Sequence, residues 1–345
     1  MKSITNKIVS SILVITFLML AVLTLTACAH EHNFASTYSF DATHHWQECL
    51  DKNCEEKQNY EEHNLEGDIC TVCHYGSSAA VTVGTTTTYY KTFAEAIATV
   101  TDDTATTITL TKDVTEGGVV VQSGKNLTLD LNGHTYTLVA PMVGSSGTTT
   151  IGFQLLKDSN ITIKNGTIKH ATAYTEARDD QDCKMLIQNY SNLTLENVTL
   201  DARSADNVCL YALSDNYGNI VLKGNTNIIA AQGQVAFDVW FGEGATYYTG
   251  VNVTFDETFT GTVSGKVEYG AKAAGATNVP TWTELTKLTI KAGTFNLGEI
   301  DNLNNVTMNI EISGGSFDID VSNYVKSGYE CNLVSGRYVV TASAN

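Results

Sequence analysis

The chain has 345 residues, with 37 Asp and Glu against 20 Lys and Arg, a formal charge of −17. A surface this acidic repels phosphate backbones, which argues against DNA or RNA as partners. The length suits one large domain plus a small one, and after the first apolar run no other approaches bilayer-spanning length.

The first residues set the compartment. Lys2 and Lys7 make a short basic segment, Ile8 to Leu25 is apolar apart from Ser and Thr, and Leu25-Thr26-Ala27-Cys28 closes the run. Small residues ahead of a cleavage point mark a signal peptide. A Cys at that point matches the bacterial lipobox, where the thiol is acylated and becomes the first residue of the mature protein. A plain transmembrane anchor is the alternative, since the run just reaches spanning length, but Leu-Thr-Ala-Cys favours lipidation. Residues 1–27 are expected to be a lipoprotein signal peptide. The mature protein is then held at the cell membrane by lipid on Cys28, on the extracellular face. Losing Lys2 and Lys7 takes the charge from −17 to −19.

Residues 28–78 read as a small module rich in His, Cys and Glu. The ligand-type residues are His30, His32, His44, His45, Cys49, Cys54, His63, Cys70, Cys73 and His74. Cys70-Thr-Val-Cys73 places two thiolates three positions apart, a half-site for one tetrahedral zinc. Cys49 and Cys54 have four residues between them, wider than a standard knuckle. So few apolar residues cannot fill a core, and a staple is needed. Structural zinc on Cys49, Cys54, Cys70 and Cys73, with His45 and His63 as alternates, is the first reading. Two disulfides are open to a segment outside the cell, and free thiols are the third option. The surplus histidines offer a second site or a replacement for one Cys. The run His45-Trp-Gln-Glu-Cys49, His63, Gly67-Asp-Ile-Cys70-Thr-Val-Cys73 resembles the zinc-ribbon-like modules beside bacterial surface β-helices, departing from them in the wide first spacing.

Residues 79–345 carry a repeat. A helix is predicted first: Thr92 and Glu95 form a capping box, and Phe93, Ile97 and Val100 share a face. It caps a first coil whose strands begin near Thr107-Ile-Thr-Leu110. Then come Leu127-Thr-Leu-Asp-Leu-Asn-Gly133, Ile161-Thr-Ile-Lys-Asn-Gly166, Leu193-Thr-Leu-Glu-Asn-Val198 and Ile220-Val-Leu-Lys-Gly-Asn225, followed by runs at Val251, Leu288 and Met308. Successive starts lie 34, 32, 27, 31, 37 and 20 residues apart. A period near thirty that carries strands means a solenoid. Further alternating runs lie before and after each Asn/Gly corner, giving three short strands per turn: an all-β, right-handed parallel β-helix. Leu129, Ile163, Leu195 and Leu222 are expected to stack in one inward file. An antiparallel sandwich would need free-standing two-residue hairpins, whereas the Asn-Gly pairs here fall at one phase of a long repeat. The same phase explains Asn-x-Thr triplets such as Asn126-Leu-Thr and Asn192-Leu-Thr as corner and strand residues. The scattered Cys183, Cys209 and Cys331 read as buried free thiols. Cys183 and Cys209 lie one repeat apart, which also permits a disulfide.

Tyr90-Lys-Thr-Phe-Ala-Glu-Ala-Ile97, Ile108-Thr-Leu-Thr-Lys-Asp-Val114 and Leu129-Asp-Leu-Asn-Gly-His-Thr135 resemble the opening of the pectate-lyase-like β-helix domains of bacterial surface proteins. Ile312-Ser-Gly-Gly-Ser-Phe317, Tyr324-Val-Lys-Ser-Gly-Tyr329 and Tyr338-Val-Val340 resemble their close. The resemblance spans about residues 81–345 and implies the fold. Such folds include polysaccharide lyases and glycosidases, which need carboxylates for calcium and a basic residue opposite. Arg178, Asp179, Asp180, Asp182 and Lys184 are the candidates, with Asp201, Arg203 and Asp206 one coil later. Asp179-Asp180 is a carboxylate pair of the kind polygalacturonase-type enzymes use, but the Gly-His-Gly and Arg-Ile-Lys companions of those enzymes are absent. A non-catalytic display module binding a polysaccharide or a surface protein is the preferred reading, with Trp240, Phe241, Tyr247 and Tyr248 in an insertion between coils, placed either to stack on sugar rings or to pack the loop.

Overall fold

Ile108, Leu129, Ile163, Leu195, Leu222, Phe255, Ile290 and Ile312 form one file, each paired in parallel register with the next. None is more than 2% exposed. The structure, a computed structural model, describes residues 31–144, 149–171, 183–203, 209–241, 250–271 and 286–344. The lipidation residue Cys28 lies outside them. No helix among the described residues is long and apolar enough to cross a membrane.

The file runs through the strands Ala105–Leu110, Asn126–Asp130, Asn160–His170, Asn192–Asp201, Asn219–Lys223, Val251–Phe255, Thr286–Ile290 and Ile310–Ile312. A second wall stacks Tyr136, Ile168, Leu200, Ile228, Val263, Phe295 and Phe317, all buried. A third is a seven-stranded parallel sheet running from Val119–Val121 to Ile300–Leu303. Three walls of in-register parallel strands make a β-helix, the architecture the period implies. The inward residues are aliphatic or aromatic because strand alternation delivers every second side chain to the same shared core.

Corners fall where the backbone turns left-handed. Asn165 (φ 60°), Asn197 (φ 55°) and Gly224 (φ 56°) occupy equivalent corners of successive coils. At Gly224 a Cβ would also lie 2.3 Å from Asn197 Oδ1, so both conformation and space require glycine. Outside the core, Asn126, Asn160, Asn192, Asn219 and Asn252 share one register position. The amides of Asn192, Asn219 and Asn252 each donate to the preceding Asn at 2.8–3.1 Å. Thr107, Thr128, Thr162 and Thr194 form the next file, and Asp130, Lys164, Glu196 and Lys223 alternate in sign along a third.

Both open ends of the solenoid are closed. The helix Phe93–Ala98 has the expected capping box, and buries Phe93 edge-on against Tyr136 with centroids 5.3 Å apart. Its buried residues are Phe93 and Ala96, Ile97 is only partly covered, and Val100, expected on the same face, is buried just beyond the helix end. The hairpin Ala79–Val83 and Thr86–Tyr90 pairs antiparallel with the first coil. At the far end Gly315–Phe317 pairs antiparallel with Arg337–Ala342, which pairs with Tyr329–Val334. These antiparallel additions stop the ladder from templating further strands.

The placement of the aromatic residues needs correcting. Trp240 and Phe241 are not in an insertion: they end the strand Val235–Phe241, and Phe241 is buried against Tyr217. Tyr247 and Tyr248 lie outside the described residues. Cys183 and Cys209 occupy equivalent positions one coil apart, fully buried and unbonded, and Cys331 is a free, half-buried thiol.

The chain divides at Tyr75 and Gly76 into two compact units. The first holds a three-stranded antiparallel sheet, Ser39–Phe40, His44–Glu48 and Lys57–Glu62, and a hairpin of Leu65–Glu66 with Ile69–Cys70.

Candidate metal centre

The hairpin Leu65–Glu66 and Ile69–Cys70 turns through Gly67 (φ 57°) and Asp68 (φ 71°), the two positive angles that a tight hairpin turn needs. It delivers Cys70, fully buried, into a second reversal, where the His74 amide donates to the Cys70 carbonyl at 2.9 Å and His74 itself takes φ 62°. Cys73 thereby comes beside Cys70. His45, on the central strand, and His63, just past Lys57–Glu62, face the two thiols.

The ligand atoms of His45, His63, Cys70 and Cys73 all lie within 4.8 Å of one another. Cys70 Sγ is 3.8 Å from His45 Nδ1, and Cys73 Sγ is 3.5 Å from His63 Nδ1. Zinc bonds of about 2.0–2.3 Å give tetrahedral edges of roughly 3.5 Å, so the spacing fits that ion. His63 is stacked on Tyr75 at 4.4 Å with the planes parallel to 1°. Burial opposes the Cys70 thiolate, but the Cys73 and Val72 amides and the His63 imidazole outweigh it and hold this thiol at about 6. Burial and the neighbouring Cys70 push Cys73 up. Burial also opposes protonation of His63, which the Asp41 carbonyl and Cys70 more than offset.

The other cysteine pair does not join this group. Cys49 lies four residues beyond His45 in the chain, about 13 Å along an extended strand. Cys49 and Cys54 gather instead with His32, their three ligand atoms again within 4.8 Å. One ion therefore cannot take all four cysteines: each pair recruits histidines of its own. His45 and His63, the alternates, belong with Cys70 and Cys73, and His32 is a partner that residue spacing did not single out. Desolvation and a shared hydrogen bond with Cys54 push the Cys49 thiol up to about 11.

Of the carboxylate-loop candidates, Arg178, Asp179, Asp180, Asp182 and Asp206 lie outside the described residues. Lys184 is half-buried, its amide donating to the Thr150 carbonyl at 2.7 Å. Asp201 and Arg203 satisfy each other through two side-chain hydrogen bonds of 2.7 and 2.9 Å.

A different acidic file lies on the seven-stranded wall. Gln154, Gln188, Ser214, Asp238, Glu268 and Asp301 occupy one register position on successive strands. Asp238 accepts from Ser214 Oγ at 2.9 Å and the Asp215 amide at 2.7 Å, and Glu268 accepts from the Tyr211 hydroxyl at 2.9 Å. Burial pushes Asp238 up to about 7 and holds Asp215 well above the ordinary carboxylate range. The one trace of this in the sequence is a lone Asp inside Val235-Ala-Phe-Asp-Val-Trp-Phe241. Comparison with known proteins finds no family model, no curated protein and no solved structure that matches this chain.

Proposed function

We propose that this chain is a lipid-anchored bacterial cell-surface protein that works by binding and display, without catalysis. A single structural zinc on His45, His63, Cys70 and Cys73 holds residues 31–75. The observation that carries the display reading is the outer surface of the first wall. Its Asn, Thr and alternating-charge files repeat at the strand spacing over successive coils, a regular polar face suited to an extended ligand such as a polysaccharide or another surface protein. Lipid on Cys28 would tether that face outside the cell, and the resemblance to pectate-lyase-like surface domains supports the same placement. Zinc would supply the cross-link that the small unit lacks in apolar core. The experiment is a binding screen of the full chain against acidic polysaccharides and surface proteins. Retention on a defined ligand supports the reading, and cleavage of the ligand overturns it.

A second reading, a polysaccharide lyase or glycoside hydrolase acting on acidic polysaccharide, is favoured by one observation. Asp238 and Glu268 are register neighbours on adjacent strands, and Asp238, at about 7, would hold a proton near neutral pH as a general acid does. Calcium would enter only in the lyase form, as a bridge between such carboxylates and an acidic sugar. Asp238→Asn and Glu268→Gln would each abolish cleavage under this reading.

A further inference from the structure

We propose that His32, Cys49 and Cys54 form a second metal site, one that takes a zinc-class divalent cation and leaves a coordination position to an outside ligand. His32 Nδ1 lies 3.1 Å from Cys54 Sγ and 3.5 Å from Cys49 Sγ. These separations match the edges of a tetrahedron built on zinc bonds, roughly 3.5 Å. Among the described residues, His32, Cys49 and Cys54 fill three of its corners.

The backbone fixes these corners independently of any ion. The Leu50 amide donates to the Asn33 carbonyl at 2.7 Å and the Ala35 amide to the Glu48 carbonyl at 2.8 Å, so the segment after His32 is paired alongside Cys49. The Cys54 amide donates to the Asp51 carbonyl at 3.0 Å in a turn with Asn53 at φ 63°, which swings Cys54 back toward Cys49. Asp51 Oδ2, held by the Asn33 amide at 2.9 Å, is 3.4 Å from Cys49 Sγ.

Ligand type and charge select the cation. Two thiolates and an imidazole suit zinc and its soft neighbours rather than magnesium or calcium. Two thiols that lose their protons on binding neutralise a dication, and the Asp51 carboxylate beside them, with Glu48, Glu55 and Glu56 against the single Lys57 around an adjoining cavity of about 360 Å³, favours a dication over a monovalent one. The site also differs in access from the four-ligand group. His32 is exposed and both thiols half-buried, whereas His45 and Cys70 are buried. Zinc sites with three protein ligands keep a position for water or an added ligand, and four-ligand sites are closed. The cation here therefore exchanges with the surroundings. The inference does not depend on zinc in the closed group.

The test uses the full chain, purified in detergent without a histidine tag, loaded with zinc and challenged with a chromophoric chelator. Two zinc equivalents are expected, one released much faster than the other. Cys49→Ser with Cys54→Ser should remove the fast equivalent and spare the slow one. His32→Gln keeps both thiols and lies outside the strands; it should weaken the fast equivalent by about tenfold or more. After cobalt substitution, added imidazole should shift the absorption bands of the fast-exchanging ion alone. Loss of the slow equivalent in His63→Ala, with the fast one retained, separates the two groups. A metal content unchanged by the Cys49 and Cys54 substitutions, or a Cys49–Cys54 disulfide in the isolated protein by mass spectrometry, overturns the proposal.

Discussion

His63 donates from Nε2 to the Asp41 carbonyl at 2.9 Å. A carbonyl only accepts, so Nε2 carries a proton, and in the neutral ring Nδ1 turns its lone pair to the Cys73 sulfur 3.5 Å away. Histidines that ligate zinc characteristically have the distal nitrogen tied in this way, which fixes ring and tautomer before the ion arrives.

Cys70→Ser is therefore expected to lose the closed-site zinc and, with it, the near-ultraviolet circular dichroism of residues 31–75, while the β-helix keeps its far-ultraviolet signal. Structural zinc contributes on the order of 10 kcal/mol to so small a unit. Chelator treatment of the unsubstituted chain should have the same effect. A folded N-terminal unit after complete zinc removal would contradict this.

In the β-helix, Ile163 is 1% exposed between Leu129 and Leu195. Ile163→Ala should cost roughly 2–5 kcal/mol in urea unfolding. Ile163→Asp should abolish folding, because it places an unpaired charge in the shared core. A mild effect of the Asp substitution would mean that this file is not the core.

The file was legible in the sequence because alternation has period two and the corners are marked by Asn and Gly. Leu129, Ile163, Leu195 and Leu222 are each followed by such a corner. Phe255 and Ile290 extend it less visibly, since their repeats are of uneven length. The metal ligands were only half legible. The two Cys pairs stand out by spacing, but which histidine joins which pair depends on the antiparallel approach of Phe34 to Cys49 and on the packing of His45 against Cys70. The alignment of Asp238 with Glu268 and Asp301 was not legible, because coils of different length bring them together only through register.

Asp238 gives the wall a pH dependence. Its carboxyl is lifted by burial from 3.8 to about 7, so the folded state binds the proton more tightly than the unfolded state does. Stability from this group is present at low pH and is lost as pH rises from about 4 through about 7. Asp215, raised by burial as well, acts in the same direction, and Glu268 faces Asp238. Asp238→Asn should flatten the fall in melting temperature between about pH 4 and about pH 7. An unchanged slope would show that Asp238 ionises freely in the folded protein.

Cys28→Ser should abolish acylation and release the protein from the membrane fraction. Metabolic labelling with a fatty-acid probe checks this: a signal that survives the substitution, or its absence in the unsubstituted protein, would rule out the lipid anchor.

Binding without catalysis is tested most directly by incubating the full chain with acidic polysaccharides, with and without calcium, and following both retention on the glycan and the ultraviolet absorbance and reducing ends of any product. Retention of the chain with no product is the predicted result. Formation of unsaturated or newly reducing ends, lost in Asp238→Asn or Glu268→Gln, would contradict it and assign the acidic file of the seven-stranded wall to catalysis.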